Sequence, residues 1–385
     1  MKRWSYLAMI FLCACIAGCA KEEPHNGDND TGSSPVSTEF DSEVDADQEL
    51  NNDDNDTGSS AAGSEAVPIM NVSEELDDNL YVETEFQLPA TKLYTYSTEL
   101  KTFDFDKVQS VFWPNAGAEE ITIDEFGKRH YKEESLGGEK AFLNYKKSSK
   151  VSYIDTLCSY AREKNLFPEK ELGFKTMEEA MSEAEAFISQ FDIGCELGKP
   201  YIVAVNDEDL NKIQEEIMKD EDSATLSAKN LGATSFDSDT EIYYFEYSFM
   251  LHDIPVFGYD DPTVQQSGDN PLLAQNMRAI IMISGSGVEE LVLQGAVDKT
   301  GDNPDEAEII GYEGIKAALE KKFGDVILTE KYEVVNIWME YFPLIKDSSF
   351  TQVELIPVWC CDFEINGEAV NYTIRFHAIT GEEIS

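Results

Sequence analysis

The spacing of apolar residues divides the chain into three stretches of different character. Residues 7–16 form one short apolar run, residues 20–80 contain almost no large apolar side chain, and apolar residues become frequent from about Tyr81 onward. A stretch without apolar residues cannot bury enough surface to offset the entropy lost on ordering. The pattern therefore predicts a folded part that begins near residue 81.

The first part of the folded stretch alternates between apolar and polar residues. The runs EEITIDEF, KRHYKEES, KAFLNYKK and KVSYIDTL predict an antiparallel meander, because successive side chains of a strand point to opposite faces. Turns are expected at Gly127 and at Gly137–Gly138. A helix over residues 104–113 precedes the meander, and one over YIDTLCSYAREKNLF closes it. Residues 81–172 are thus expected to form a small α+β region.

A helix followed by strands comes next. In TMEEAMSEAEAFISQFDI, Thr176 as N-cap and Glu179 three residues later make a capping box, and apolar residues recur every three or four positions. A second helical pattern, DEDLNKIQEEIM, follows. EIYYFEYSFMLHDIPVFG then predicts a long strand ended by Pro255 and Gly258, and RAIIMISGSGVEELVLQGAV predicts a hairpin turning through residues 285–287.

The same order of elements recurs at the end of the chain. GYEGIKAALEKKFG predicts a helix that ends at Gly324, KYEVVNIWMEYFPL predicts a long strand, and a last hairpin follows. The expected fold class is α+β, with antiparallel sheets each packed by one or two helices. We predict two helix-plus-three-strand repeats, at residues 173–300 and 301–385, preceded by the smaller α+β region.

The last hairpin can be assigned a register. Asn366–Gly367 between alternating runs is a strong signal for a two-residue turn, which places Ile365 opposite Glu368. The pairs expected further from the turn are Phe363 with Val370, Cys361 with Tyr372, Trp359 with Ile374, and Pro357 with Phe376. Cys361 then lies on the core face, and Cys360 lies on the other face opposite Thr373.

Two adjacent thiols on opposite faces cannot easily share a metal ion or form an unstrained disulfide. Pairing of Cys360 or Cys361 with Cys158 or Cys195 stays open from the sequence, and free buried cysteines are the favoured interpretation.

The C-terminal sequence resembles a known family. LIPVWCCDFEINGEAVNYTIRFHAITGEEIS is similar to the end of PepSY-like domains and of YycI-type extracytoplasmic regulators, where a P-x-W strand leads to a last strand ending xNAxTGE. His377 stands where that family usually has Asn. ELGFKTMEEAMSEAEAFI and HDIPVFG resemble other parts of the same domains. The resemblance implies helix-plus-sheet modules outside the cell, mostly non-enzymatic regulators or binding modules.

The N-terminus resembles a bacterial lipoprotein signal. Lys2 and Arg3 precede an apolar run too short to span a membrane comfortably, and residues 16–19 read IAGC, like a lipobox. The resemblance implies a signal peptide over residues 1–18 and a diacylglycerol on the thiol of Cys19. An ordinary secretory signal with a chance cysteine is the alternative. Cys13 and Cys15 would leave with the signal peptide.

Residues 19–80 are expected to be an acidic tether that begins at the lipidated cysteine. A coil of about 60 residues has an end-to-end distance on the order of 40–50 Å. DNDTGSS occurs twice, from Asp28 and from Asp54, each with a Glu later in the run, at Glu39 and Glu65. This hints at calcium loops, but the glycine is misplaced and no helices flank the loops, so a duplicated linker is favoured.

The charge of the chain limits its partners. The formal net charge is −47, with 76 acidic residues and 29 Lys and Arg. Nucleic acid and anionic bilayers both attract basic surfaces, so neither is an expected partner. Contact with the membrane is therefore expected through the lipid anchor alone.

A search for reactive groups finds no familiar motif. The histidines of the mature chain, His25, His130, His252 and His377, are far apart in sequence, and SGSG at residues 284–287 is typical of a turn. The acid pairs Asp260–Asp261 and Glu289–Glu290 are most simply solvated loop charges, although a glycosidase needs only two carboxylates. No catalytic residue, metal site or cofactor is expected.

The sequence thus favours a non-enzymatic binding or regulatory module, lipid-anchored at the outer face of the bacterial cell membrane, with a protein partner in the cell envelope. A surface hydrolase acting on an extracellular polymer is the alternative.

Replacing Cys19 by Ala should abolish lipidation, because only this thiol lies in the lipobox-like stretch. In cells fed labelled palmitate, the wild-type chain should carry label and partition into detergent, and Cys19→Ala should do neither. Cys15→Ala is the matched control and should stay labelled. Labelled Cys19→Ala would contradict the assignment.

Overall fold

Two sheets covered by helices make up the part of the chain that the structure describes. This structure, a computed structural model, describes residues 69–164, 166, 170–219, 235–257, 277–299, 305–345 and 352–384. Cys19, both DNDTGSS stretches and the acid pair Asp260–Asp261 lie outside these ranges.

Sheet A joins the two ends of the described chain. Its strands are β1 (Met70–Asp77), β2 (Leu80–Phe86), β3 (Lys92–Glu99), β14 (Asp305–Glu308), β15 (Tyr332–Ile345), β16 (Gln352–Ile365), β17 (Glu368–His377) and β18 (Glu383–Ile384). The strand order is β1-β2-β15-β16-β17-β18, and β3 pairs with both β14 and β16. β2 runs parallel to β15, and the other pairs are antiparallel.

Sheet B holds the middle of the chain. Its strands are β4 (Ile121–Ile123), β5 (Arg129–Tyr131), β6 (Glu134–Glu139), β7 (Phe142–Lys146), β8 (Glu196–Leu197), β9 (Tyr201–Asn206), β10 (Glu241–Leu251), β11 (Ile254–Pro255), β12 (Arg278–Ser284) and β13 (Gly287–Gln294). The order is β11-β10-β12-β13-β7-β6-β5-β4, with β8 and β9 also paired to β10.

Helices lie on both faces of sheet B. The helices are α1 (Phe105–Phe112), α2 (Ser149–Lys164), α3 (Met177–Ile188), α4 (Asp207–Lys219) and α5 (Tyr312–Phe323). Along β10, Tyr243 and Phe245 belong to the core that contains α3, whereas Ile242 and Tyr244 belong to the core under α2 and α4. Because both faces of β10 are covered, its sequence is almost continuously apolar rather than alternating.

The predicted repeat is present in the structure. α3 followed by β10, β12 and β13 has the same order as α5 followed by β15, β16 and β17, and both sets of strands form antiparallel meanders. The α+β fold class is therefore confirmed. The capping box is also confirmed: the Thr176 hydroxyl accepts from the Glu179 amide at 3.2 Å, and the Glu179 carboxylate accepts from the Thr176 amide at 3.1 Å.

Two local predictions in the meander are wrong. KVSYIDTL is not a strand, because α2 starts at Ser149 and its buried residues Val151, Ile154 and Leu157 follow helical spacing. Gly137 and Gly138 lie inside β6 rather than in a turn. At Gly138 the backbone has φ 157°, and a Cβ there would lie 2.3 Å from the carbonyl oxygen of Phe142, so the glycine permits the close approach of β7.

Strand pairing crosses both of the region boundaries predicted at residues 80 and 172. β1 starts at Met70, inside the stretch expected to be tether, and of its side chains only Val72 is buried. Such a strand leaves little trace in an apolar pattern. The segment 81–172 does not stand alone either, because β2 and β3 join sheet A while β4 to β7 join sheet B.

The last hairpin has the predicted turn but a different register beyond it. Ile365 pairs with Glu368, as expected, and a bulge between Asp362 and Glu364 then shifts the partner strand by two residues. The observed pairs are Trp359 with Phe376, Cys360 with Arg375, Cys361 with Ile374, and Asp362 with Thr373. Because the shift is even, each side chain keeps its predicted face.

A short segment joins the two sheets at the end of β10. The long strand predicted as far as Pro255 turns back at His252 and Asp253, which have φ values of 50° and 64°. Val256 then bridges to Tyr341 of β15, and the Phe257 amide donates to the Tyr341 carbonyl at 2.8 Å. We call residues 252–257 the seam segment.

The seam segment packs against a buried ion pair. The Phe257 ring meets the Phe342 ring edge-on at 5.0 Å, and the Arg375 guanidinium lies 5.5 Å from the first ring and 5.3 Å from the second. Arg375 Nε donates to Glu340 Oε1 at 3.0 Å, and both side chains are 2% exposed. A buried charge costs free energy unless it is paired, so this contact holds β15 and β17 in one register.

A second junction lies where β3 ends. Leu100 bridges to Val297 beyond β13, and the Lys101 ammonium lies 2.6 Å from the Asp298 carboxylate. The Thr98 hydroxyl donates to the Asp298 carbonyl at 2.6 Å. One continuous apolar core therefore includes residues from both sheets.

Arg375→Met should lower the free energy of unfolding by about 3–5 kcal/mol, because it leaves the Glu340 carboxylate buried without its partner. Adding Glu340→Gln should restore part of the loss, as urea titration of the full chain would show. Lys92→Met is the control: its pair with Glu306 is half exposed and should contribute no more than about 1 kcal/mol. A double variant less stable than Arg375→Met would contradict this role.

Candidate functional site

The only site residue predicted from the sequence, Cys19, lies outside the described residues, so its lipidation stays a prediction. The same holds for the duplicated linker and its calcium alternative. In the described part of the chain, no helix is long and apolar enough to cross a bilayer.

The described cysteines form no disulfide and are largely shielded from reagents in solvent. Cys158, Cys360 and Cys361 are buried, and no disulfide joins them or Cys195. Burial raises the pKa of Cys158, Cys360 and Cys361 well above the usual range, and it raises the pKa of Cys195 to about 12. The reactive thiolate is therefore scarce at neutral pH. The interpretation as free cysteines is confirmed, and Cys158, Cys360 and Cys361 are buried as expected, whereas Cys195 is partly exposed.

The acid pair Glu289–Glu290 is not a solvated loop pair. Both residues lie on β13, where Glu289 is at a bulge. Glu290 contacts Lys146 and Glu289 contacts Lys147. These neighbouring lysines at the end of β7 lie on opposite faces of sheet B. Glu290 is fully buried and Glu289 is partly buried. Two carboxylates that point to opposite faces of a sheet cannot flank one glycosidic bond. This pair therefore cannot serve as the catalytic carboxylates of the hydrolase alternative.

Glu289 forms a cluster with two serines and a lysine at the SGSG turn. Its Oε1 accepts from Ser284 Oγ at 2.5 Å, from Ser286 Oγ at 2.7 Å and from Lys147 Nζ at 2.9 Å. Lys147 Nζ also lies 2.6 Å from Ser286 Oγ. Burial opposes ionisation of Glu289, but these donors outweigh it and lower its pKa.

A serine beside a lysine can act as a nucleophile only if the lysine is neutral and takes the proton of the hydroxyl. Here Lys147 is instead engaged in an ion pair with Glu289 at 2.9 Å. The cluster is therefore suited to hold the turn between β12 and β13.

Glu290 belongs to a second polar group beneath α2. Lys146 Nζ lies 2.7 Å from Glu290 Oε1 and 4.0 Å from Asp155 Oδ2. Burial raises the pKa of Glu290 and of Asp155, and the Asp155 carboxyl raises the pKa of Glu290 further. Lys146 lowers both pKa values but does not outweigh burial. The carboxyl groups share one cation here, so they bind α2 to sheet B rather than face a cleft.

The same interface contains Glu246 between two arginines. Its carboxylate lies 2.8 Å from Arg278 Nη1, contacts Arg162 Nη1, and accepts from the Tyr244 hydroxyl at 3.0 Å. Burial opposes ionisation of Glu246, but Arg278 and Arg162 outweigh it and lower its pKa. Asp155 also interacts with both arginines, so these charged groups interact mainly with one another, which is typical of a structural network.

The described histidines lie on different elements and do not meet. His130 Nε2 lies 3.0 Å from Asp124 Oδ2, His252 Nε2 lies 2.5 Å from the Tyr96 hydroxyl, and His377 Nδ1 accepts from the Ile379 amide at 3.2 Å. Among the described residues, no group of three or more His, Cys, Asp or Glu side chains could hold a metal ion.

An apolar tip stands out on the surface at one end of sheet A. After α5 ends at Gly324, the chain exposes Val326 and Ile327, whose exposed fractions are 54% and 92%. Leu328 behind them is partly buried against the core. Ile327 buries almost none of its side chain in the fold, and together with Val326 it forms a contiguous exposed apolar pair. The apolar run VIL at residues 326–328, separated by one residue from the helix-ending Gly324, was the available sequence signal.

The tip rests on two neighbouring turns. Asn79 Nδ2, in the turn between β1 and β2, donates to the Leu328 carbonyl at 2.9 Å. Asn366 in the last hairpin turn donates to Glu330 Oε1 at 3.1 Å, and its Oδ1 accepts from the Lys331 amide at 3.1 Å. At the other end, the Val326 amide donates to the Phe323 carbonyl at 2.8 Å. Residues 326–330, held in this way at both ends, are called the tip loop.

A pocket of about 330 Å³ opens beside the tip loop. Its lining residues are Glu330, Ile365, Asn366, Glu368, Ala369 and Val370. This volume lies at the low end of the range for small-molecule sites, about 300–1,000 Å³. A pocket next to an exposed apolar pair is an arrangement that suits contact with another macromolecule.

A second exposed apolar pair lies at the far edge of sheet B. Ile123 and Phe126 are 64% and 74% exposed, and Asp124 holds the turn between them by accepting from the Phe126 and Lys128 amides at 2.9 Å each.

Comparisons with known proteins give information on the fold but none on the candidate site. No family model matches the chain, and no curated protein matches it. An uncharacterized protein from Eubacterium rectale, solved as a crystal structure, is similar with a TM-score of 0.52 and 15% identity, over 82% of this chain and 93% of that chain. At this identity the likeness shows a shared fold alone.

Two further solved structures are similar at lower scores. The YpeB C-terminal domain from Bacillus megaterium has a TM-score of 0.25 and 9% identity, over 74% of this chain and 96% of that chain. YycH from Bacillus subtilis has a TM-score of 0.30 and 11% identity, over 79% of this chain and 56% of that chain. Scores this low carry no argument about the present chain.

The four described thiols should resist iodoacetamide at pH 8 in the native full chain, because burial raises their pKa. In guanidinium without reductant all four should react, as intact-mass measurement would show. Ser286→Cys supplies an exposed thiol as a control for the reagent. Label gained only after reduction would reveal a disulfide and contradict the assignment.

Proposed function

We propose that this chain is a non-enzymatic binding or regulatory module, lipid-anchored through Cys19 at the outer face of the bacterial cell membrane. The lipobox-like IAGC and the acidic stretch that follows support the anchor. A protein of the cell envelope is the proposed partner, and the apolar tip is the proposed contact.

The observation that carries this proposal is the exposure of Val326 and Ile327 on a loop held at both ends. Interfaces derive most of their binding energy from a few side chains that become buried on contact, and rigid presentation lowers the entropy lost on binding. The tip loop meets both conditions, because Asn79 and Asn366 hold it against two turns of sheet A.

The polar clusters of sheet B support the same choice over a hydrolase. The Glu289 carboxylate accepts hydrogen bonds from Ser284, Ser286 and Lys147, and Glu290 is buried beneath α2. These groups hold the fold together, whereas the tip loop faces solvent.

A photo-crosslinking amino acid at position 327 should give a discrete adduct with one envelope protein in intact cells. The same amino acid at Met218, an exposed residue on α4, is the matched control and should give none. Val326→Ser should weaken the adduct at position 327 several-fold without changing the amount of exported chain.

Two results would contradict the proposal. One is the absence of any adduct at position 327 under several growth conditions. The other is an identical set of adducts from positions 327 and 218, which would indicate random collision.

A further inference from the structure

The apolar tip and its pocket are surrounded by acidic side chains. The exposed carboxylates here are Asp77, Asp78, Asp325, Glu330 and Glu368. They lie on the three segments that meet at the tip: the β1–β2 turn, the tip loop with the residue before it, and the last hairpin turn. Each approaching molecule therefore meets negative charge around an apolar centre.

Few basic groups offset this charge. Lys331 contacts the Glu333 carboxylate, and its Nζ lies 5.0 Å from the Tyr81 ring centroid. Glu333, as the closest acid, raises the pKa of Lys331 and holds it in the charged form. Lys321 is a further exposed lysine, on the last turn of α5, the helix that precedes the tip loop in the chain. Five carboxylates thus face two lysines, one of them already paired.

This charge excludes several occupants of the tip. The stretch 20–68 of the chain contains a single basic residue, Lys21, so it would be repelled. A second copy of this chain, with net charge −47, and an anionic bilayer would be repelled as well. A partner that covers Ile327 must therefore supply positive charge around an apolar side chain.

From this we infer that the apolar tip and its acidic surround bind a basic, amphipathic protein segment, with apolar side chains on Val326 and Ile327 and a Lys or Arg side chain in the pocket beside Glu330 and Glu368. This inference rests on the proposed function and adds the chemical class of the partner. Charge complementarity of this kind speeds association and rejects acidic partners.

The test uses three fluorescent peptides of equal length with the full chain in detergent at physiological salt. One peptide combines lysine and leucine on opposite faces of a helix, one combines glutamate and leucine, and one combines lysine and serine. Fluorescence anisotropy should show binding of the lysine–leucine peptide, with at least tenfold weaker binding of the other two.

Variants locate the binding on the surface. Ile327→Ser, and separately Glu330→Lys with Glu368→Lys, should each weaken binding of the lysine–leucine peptide at least tenfold. Glu185→Lys with Glu215→Lys makes the same change in net charge on α3 and α4, and it should leave the Kd within twofold.

Each contrary result has a distinct meaning. Equal weakening by the control pair, or equal binding of the lysine–serine peptide, would show general attraction to an acidic protein and overturn the inference. If no peptide binds while position 327 still gives its crosslink in cells, the proposed function survives and the basic partner is wrong. If the crosslink also fails, both fall.

Discussion

The ion pair between Arg375 and Glu340 is the interaction on which the arrangement of the two sheets depends. Both side chains are almost completely buried, and an unpaired charge in that position would be strongly destabilising. Arg375 also lies over the rings of Phe257 and Phe342, so one guanidinium fixes the seam segment against β15. A one-residue slip of β17 would turn Arg375 to the opposite face and break both contacts.

Much of the fold could be predicted from sequence because its signals are local. Three such features are present as predicted: the capping box at Thr176 and Glu179, the Asn366–Gly367 turn, and the order of helices and long strands. What could not be predicted depends on distant partners. The parallel pairing of β2 with β15 and the bulge at Asp362 leave no periodic signal in their own segments.

The candidate site was harder to predict, for a physical reason. Sequence motifs identify reactive side chains that lie close together in the sequence. In this chain, such side chains stabilise the fold instead: Glu289, for example, accepts hydrogen bonds from Ser284 and Ser286. The apolar tip has the opposite character. The tip is a candidate site because Ile327 is exposed, and that exposure depends on the way the turns of sheet A support the tip loop.

Amide hydrogen exchange in native membranes, compared with the purified full chain in detergent, tests the central claim that the apolar tip is where this module meets its partner. The account predicts slower exchange in membranes at residues 326–330 and 366–370, with unchanged exchange on α4. Slower exchange confined to the turn at residues 123–128, or no difference at the tip, would contradict it.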